Sequence, residues 1–173
     1  VALVEFFGFT SQTLMPSLAR DVWNLGPEGL GFLNACSSGG GMLAIALISL
    51  YGHIRHQGLA FVGVIHLFGL ALIVLGYAPS IHIAVMAIIV VSSMMALSDL
   101  FSQTLMQRLV PNDLRGRVMG AWTAAVGTAP IGNLEIGAVA SLFGVTMALG
   151  FHGLALIALG VTTLTIFRKL RRI

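Results

Sequence analysis

The stretch MQRLVPNDLRGRVMG, residues 106–120, lies between two long apolar runs and decides how the chain is read. It is the longest polar interval of that kind, and three of the nine basic residues, Arg108, Arg115 and Arg117, fall inside it. Pro111 has no N–H to donate and cannot continue the helix arriving from Ile83. Asn112 and Asp113 supply turn chemistry, and their short acceptor side chains are expected to N-cap the helix that follows. A basic turn between apolar helices is the pattern of a loop joining two membrane spans, and its charge marks the cytoplasmic side.

Composition supports a lipid environment. Of the 173 residues, 57% are hydrophobic and 9% charged, against about 25% charged in a typical soluble domain. A soluble domain of this size must cover a large surface with polar side chains, and this chain has too few. The single Cys36 excludes an internal disulfide framework and a multi-cysteine metal site. Val1 opens inside an apolar run, with neither an initiator Met nor a signal-peptide pattern, so the chain reads as a fragment lacking its upstream part.

Working outward from the loop, six apolar segments of spanning length follow one another, at about residues 1–19, 30–50, 59–78, 83–106, 118–143 and 146–167. The expected fold is therefore an all-α integral membrane protein, one six-helix bundle over residues 1–173. With six spans, the joint at 52–58, the joint at 107–117 and the C-terminal tail share one side. They hold Arg55, then Arg108, Arg115 and Arg117, then Arg168, Lys169, Arg171 and Arg172, while the other side holds only Arg20 beside Asp21. The positive-inside rule places both termini in the cytoplasm.

Small residues cluster at Ser37-Ser38-Gly39-Gly40-Gly41 and at Gly116, Gly120 and Ala124. Such patterns let helix backbones approach closely in lipid, and they also suit a bending or substrate-lining surface. Pro130 should kink the fifth span and free a carbonyl for a neighbour to satisfy.

Ionisable side chains at membrane depth are functional candidates because burying them is expensive. Asp99 and Glu135 are the candidate proton-coupling residues, and Glu5 is a third carboxyl whose depth is less defined. Ser92, Asp99 and Gln103 fall at i, i+7 and i+11, and Glu5, Phe9 and Gln12 at i, i+4 and i+7, giving two polar stripes that could line a cavity. The plainer reading of Asp99 is an interhelical hydrogen bond. Asn133 and Glu135 lie about 200° apart around a helix, so only one can face a shared space; Glu135, on the face of Thr128 and Gly132, is the one expected to meet water.

Two histidines, His66 and His152, lie within spans and lack an i+4 ligand partner, so each reads as a packed neutral imidazole with a proton relay as the alternative. His53 and His56 belong to a loop and His82 to a turn. No metal site or other cofactor is expected. No nucleophile–base pair or phosphate-cradling loop points to an enzyme, and arginines beside spans signal topology rather than nucleic-acid binding.

Three segments carry a family resemblance: TLMPSLARDVWNLGPEGLGFL (13–33), QTLMQRLVPNDLRGRVMG (103–120) and APIGNLEIGAVASLFG (129–144). In these the chain resembles the C-terminal six-helix half of a major facilitator superfamily transporter, within the bacterial enterobactin-exporter-like efflux branch. The resemblance implies helices seven to twelve of a twelve-helix inner-membrane transporter that works by alternating access. It also implies proton-driven efflux of amphipathic small molecules of drug or siderophore type. The implied partners are the bilayer, the missing N-terminal half, the small-molecule substrate and protons. Two departures stand out. The loop GHIRHQG (52–58) keeps Gly52, Arg55 and Gly58 without the acidic residue usual there, and Asp99 and Glu135 stand where this branch commonly has amides. The alternative is a six-span scaffold or assembly subunit that does not transport, with the Asp99/Gln103 stripe as a partner interface.

Overall fold

A computed structural model describes residues 2–51 and 57–166. The Arg55 joint and the basic tail at 168–172, both used to assign sidedness, lie outside the described residues. The regular elements among those described are all helices, with no strand. Five helical stretches are long and apolar enough to cross a membrane: Pro27–Leu50, Gln57–Gly76, Ile81–Arg108, Arg115–Phe143 and Val145–Ile166.

The expected first span does not form one regular helix. An α-helix α1 (Ala2–Gly8) passes into 3₁₀ turns (Phe9–Leu14), a short α-turn α2 (Met15–Ser17) and π-turns (Leu18–Val22). Pro16 explains the change of pitch, because it offers no N–H to the carbonyl of Gln12 and its ring crowds that position. Met15 N–H bonds the Gln12 carbonyl in 3₁₀ fashion instead. At the far end, Leu25 N–H reaches back to the Ala19 carbonyl at 2.8 Å. Asn24 takes the left-handed conformation there (φ 52°), which Asn tolerates better than most residues.

The remaining helices are α3 (Pro27–Tyr51), α4 (Gln57–Gly76), α5 (Ile81–Leu109), α6 (Arg115–Val126), α7 (Ala129–Phe143) and α8 (Val145–Ile166). Ser80 N-caps α5, its hydroxyl accepting from Ile83 N–H, and His82 sits in the first turn of that helix. As Pro111 requires, α5 ends at Leu109, and Val110 is extended (φ −99°, ψ 127°). The expected cap of α6 is corrected: Leu114 occupies the N-cap with no side-chain bond, while Asn112 and Asp113 lie in the preceding turn. The fifth span breaks at Gly127–Thr128, with Pro130 in the first turn of α7. A single residue, Gly144, turns the chain from α7 to α8 at φ 88°, a conformation that favours glycine.

In the bundle α4 lies against both α8 and α5, and α3 against α5. The 3₁₀ turns pack on α7, and α1 packs on α8. Phe68, Leu72, Ile88, Leu149 and Leu156 are among the fully buried core side chains. Two close crossings hold the frame. In α3, a Cβ on Gly40 would lie 2.5 Å from the Ile89 carbonyl oxygen. Ser93 Oγ contacts that carbonyl and the Gly40 carbonyl at 2.8 and 2.9 Å. Between α4 and α8, a Cβ on Gly69 would lie 2.5 Å from the Gly153 carbonyl oxygen, and the converse holds equally. Small residues are what permit such approach in lipid, where no hydrophobic force joins helices. By contrast Gly116 and Gly120 on α6 have nothing within 4 Å among the described residues.

Candidate functional site

Three groups of polar side chains within the spans involve the first segment. Near one end of α5, Gln103 Nε2 donates to Asp99 Oδ2 at 3.0 Å, one helical turn apart. Glu5 of α1 lies within electrostatic reach of Asp99. Gln12, on the 3₁₀ turns, meets the Met95 sulfur of α5 at 3.3 Å. Glu5, Asp99 and Gln103 are each half-buried and Gln12 is exposed. Four of the sequence-selected polar residues thus lie along the facing sides of the first segment and α5.

The two remaining members of the stripes go elsewhere. Ser92 is buried, 7% exposed, and its hydroxyl bonds the Ser37 hydroxyl of α3 at 2.6 Å. Phe9 packs edge-on against Phe68 of α4, with ring centroids 6.5 Å apart. The Ser92 end of the α5 stripe is therefore covered by α3, and Phe9 turns toward the apolar core.

A second group joins the first segment to α7, where Thr13 Oγ1 donates to Asn133 Oδ1 at 2.8 Å. Asn133 and Glu135 do point to different neighbours, as their spacing requires.

The third group is built on Glu135 of α7. Its Oε2 lies 3.0 Å from Nε2 of His152 on α8. The other ring nitrogen, Nδ1, lies 2.9 Å from the Phe7 carbonyl oxygen of α1. His152 is 2% exposed, against 37% for the Glu135 side chain. The Phe7 ring stacks edge-on against the imidazole, centroids 5.4 Å apart. Local structure explains the backbone acceptor. Where α1 gives way to 3₁₀ turns, three successive carbonyls each take a side-chain partner: Phe6 from Thr10 at 2.6 Å, Phe7 from His152, and Gly8 from Ser11 at 2.6 Å. Gly132, one turn before Glu135, lets α7 close on this region, since a Cβ there would lie 2.5 Å from the Thr10 methyl.

His152 has no i+4 partner, as its sequence context shows, yet it meets two groups on other helices. Its partners are 17 and 145 residues away, beyond the reach of an i+4 search. His66 does read as a packed imidazole: its Nδ1 bonds the Val62 carbonyl of its own helix at 2.8 Å, and its ring fills the space over Gly160.

The loop arginines are exposed. Arg115 donates to the Gln107 carbonyl at 3.0 Å and so caps the end of α5; Arg108 and Arg117 flank the same turn. On the other side of the bundle Arg20 and Asp21 form an exposed ion pair at 2.7 Å. Hydrogen bonding to Arg20 holds the Asp21 carboxyl below its ordinary range.

No protein-family model matches the chain, and no solved structure does. Among curated proteins it is similar to the enterobactin exporter EntS of Escherichia coli O1:K1, with 29% identity over 168 residues. The EntS proteins of Shigella boydii serotype 18 and Escherichia fergusonii match it at 29% over 169 residues. In each case 93% of this chain is aligned, and it spans 39% of the relative's length. The chain is thus similar over most of its length to part of the enterobactin exporters, and it carries five helical stretches long and apolar enough to cross a membrane.

Proposed function

We propose that the chain is the C-terminal six-helix half of a major facilitator superfamily exporter in the bacterial inner membrane, with both termini cytoplasmic. It moves amphipathic small molecules of drug or siderophore type out of the cell by alternating access, driven by protons. The first segment serves as the first of the six spans, its irregular pitch notwithstanding. The observation that carries the reading is the juxtaposition of Glu5, Gln12, Asp99 and Gln103 between the first segment and α5, in a chain homologous to exporters. Carboxyl groups at membrane depth are costly unless they face water or exchange protons. Asp99 is a candidate proton carrier, and its bond to Gln103 keeps the carboxyl oriented. Arg108, Arg115 and Arg117 anchor the cytoplasmic side. The missing half supplies the opposite cavity wall, and the open small-residue face of α6 at Gly116 and Gly120 suits its approach.

The test is Asp99→Asn in the complete polypeptide, with efflux followed against an imposed pH gradient at matched expression. pH-driven efflux is expected to fall several-fold while the amount of protein in the membrane stays constant. Undiminished efflux would leave Asp99 a structural hydrogen-bond partner.

A further inference from the structure

We propose that Glu135, His152 and the Phe7 carbonyl form a clasp that a single proton closes, tying α1, α7 and α8 together. Donors and acceptors around the imidazole must match one to one. A backbone carbonyl can only accept, so the 2.9 Å contact from His152 Nδ1 to Phe7 O requires a proton on Nδ1. A neutral imidazole protonated on Nδ1 presents a bare lone pair at Nε2. The 3.0 Å approach of Nε2 to Glu135 Oε2 then requires one further proton between them. It resides either on Nε2, giving imidazolium and carboxylate, or on Oε2, giving neutral histidine and carboxylic acid. The proton count is the same in both forms, and both contacts stand.

Without that proton the contacts compete. If Nδ1 keeps its hydrogen, the Nε2 lone pair faces a carboxylate and α7 is released from α8. If the hydrogen moves to Nε2, a bare Nδ1 faces the Phe7 carbonyl and α1 is released instead. One contact survives and the other opens. The cost of opening is that of an unsatisfied acceptor at a 2% exposed imidazole. Glu135, with a side chain 37% exposed, gives the proton its route in and out.

The neighbourhood holds few competing groups. Glu135 is the only titratable residue of α7, and His152 the only one of α8. The 3₁₀ turns contribute none. On α1, Glu5 lies two residues before Phe7, about 200° around the helix, within reach of Asp99. From α4, His66 is bonded to Val62. Just beyond α4, Tyr77 packs over Gly150 and directs its hydroxyl to Met147. On α6, which touches α1, Arg115 and Arg117 are exposed. The clasp rests on the helix arrangement alone and does not require the transport reading.

The experiment measures two interhelical distances by double spin labelling of the complete polypeptide in lipid nanodiscs, in a Cys36→Ser background. Leu134→Cys with Leu154→Cys reports α7 to α8, and Leu3→Cys with Leu154→Cys reports α1 to α8; all three leucines are exposed. At acidic pH both pairs are expected to be short. As pH rises, one pair loses its short-distance population and the other keeps it. In Glu135→Gln both stay short at every pH, because the amide N–H donates to a bare Nε2 without an added proton. Two short distances at all pH values in the parent, or an unchanged pH response in Glu135→Gln, would overturn the clasp. If Glu135→Gln fails to fold, ¹⁵N-histidine resonances of the parent protein, assigned through His152→Asn, decide instead. Protonated Nδ1 at acidic pH is expected there, and a neutral imidazole protonated only on Nε2 would overturn the proposal. Efflux is not a readout in either experiment.

Discussion

Replacing Gly69 by Ala puts a methyl group where α4 crosses α8. The new Cβ would stand 2.5 Å from the Gly153 carbonyl oxygen, 2.9 Å from Ile157 Cγ1 and 3.2 Å from Ile157 N. Two of the three are backbone atoms, so no rotamer change relieves the contact. Ordinary contact begins near 3.4 Å, and the helices must separate by roughly 1 Å, which costs about 1–3 kcal/mol of overpacking. Ala also gains about 1 kcal/mol over Gly in helix propensity, and a reference variant removes that gain from the comparison. Gly63→Ala lies on the same helix, is exposed, and has nothing within 4 Å. The difference in unfolding free energy between the two variants, measured by denaturant titration in one detergent with helicity as the signal, is expected to be about 1–3 kcal/mol in favour of Gly63→Ala. That corresponds to about tenfold in the folding equilibrium per 1.4 kcal/mol. Equal stabilities would refute the close crossing and the reasoning built on it.

Two further predictions concern polar contacts. The Ser37–Ser92 hydroxyl pair at 2.6 Å should show a coupling of about 0.6 kcal/mol, and at most about 1.7, in a double-mutant cycle with Ala, as interhelical hydrogen bonds in lipid do; zero coupling would mean the hydroxyls do not bond. At Asp21, which Arg20 holds below its ordinary range, the pairing favours the folded state above the unfolded titration point, and that contribution is lost as pH falls through the folded one. Arg20→Gln should raise the Asp21 midpoint, read by NMR titration, with no measurable change in melting temperature because the pair is exposed.

Much of the frame is legible in the residues. Pro111 ends α5 and Pro130 breaks the fifth span by the absence of an N–H, a property of the residue itself, and long apolar runs mark the later spans. The first span defeats the same approach, because apolarity announces a segment without announcing its pitch, and the influence of Pro16 is felt four residues upstream. Interhelical contacts are hidden for a different reason. In lipid the buried and outward faces are both apolar, so periodicity carries little information about who packs on whom. Gly69 and Gly153 look like any other glycines until α4 and α8 are set side by side. Asp99 and Glu135 were visible as costly groups; that Glu135 meets His152, and that His152 meets a carbonyl at the far end of the chain, depends on tertiary arrangement alone.

The 3₁₀ stretch gives the first segment the mechanics of a screw. Six residues at 2.0 Å rise instead of 1.5 Å lengthen it by about 3 Å, and at 120° per residue instead of 100° overwind it by about 120°. Glu5 stands before this thread, within reach of Asp99, and Thr13 stands on it, bonded to Asn133. Rewinding the stretch as α-helix would draw its ends together and turn them against each other by a third of a revolution. Glu5 and Thr13 could not then both keep their present neighbours, so the pitch of these six residues and the choice of partners on α5 and α7 are one variable.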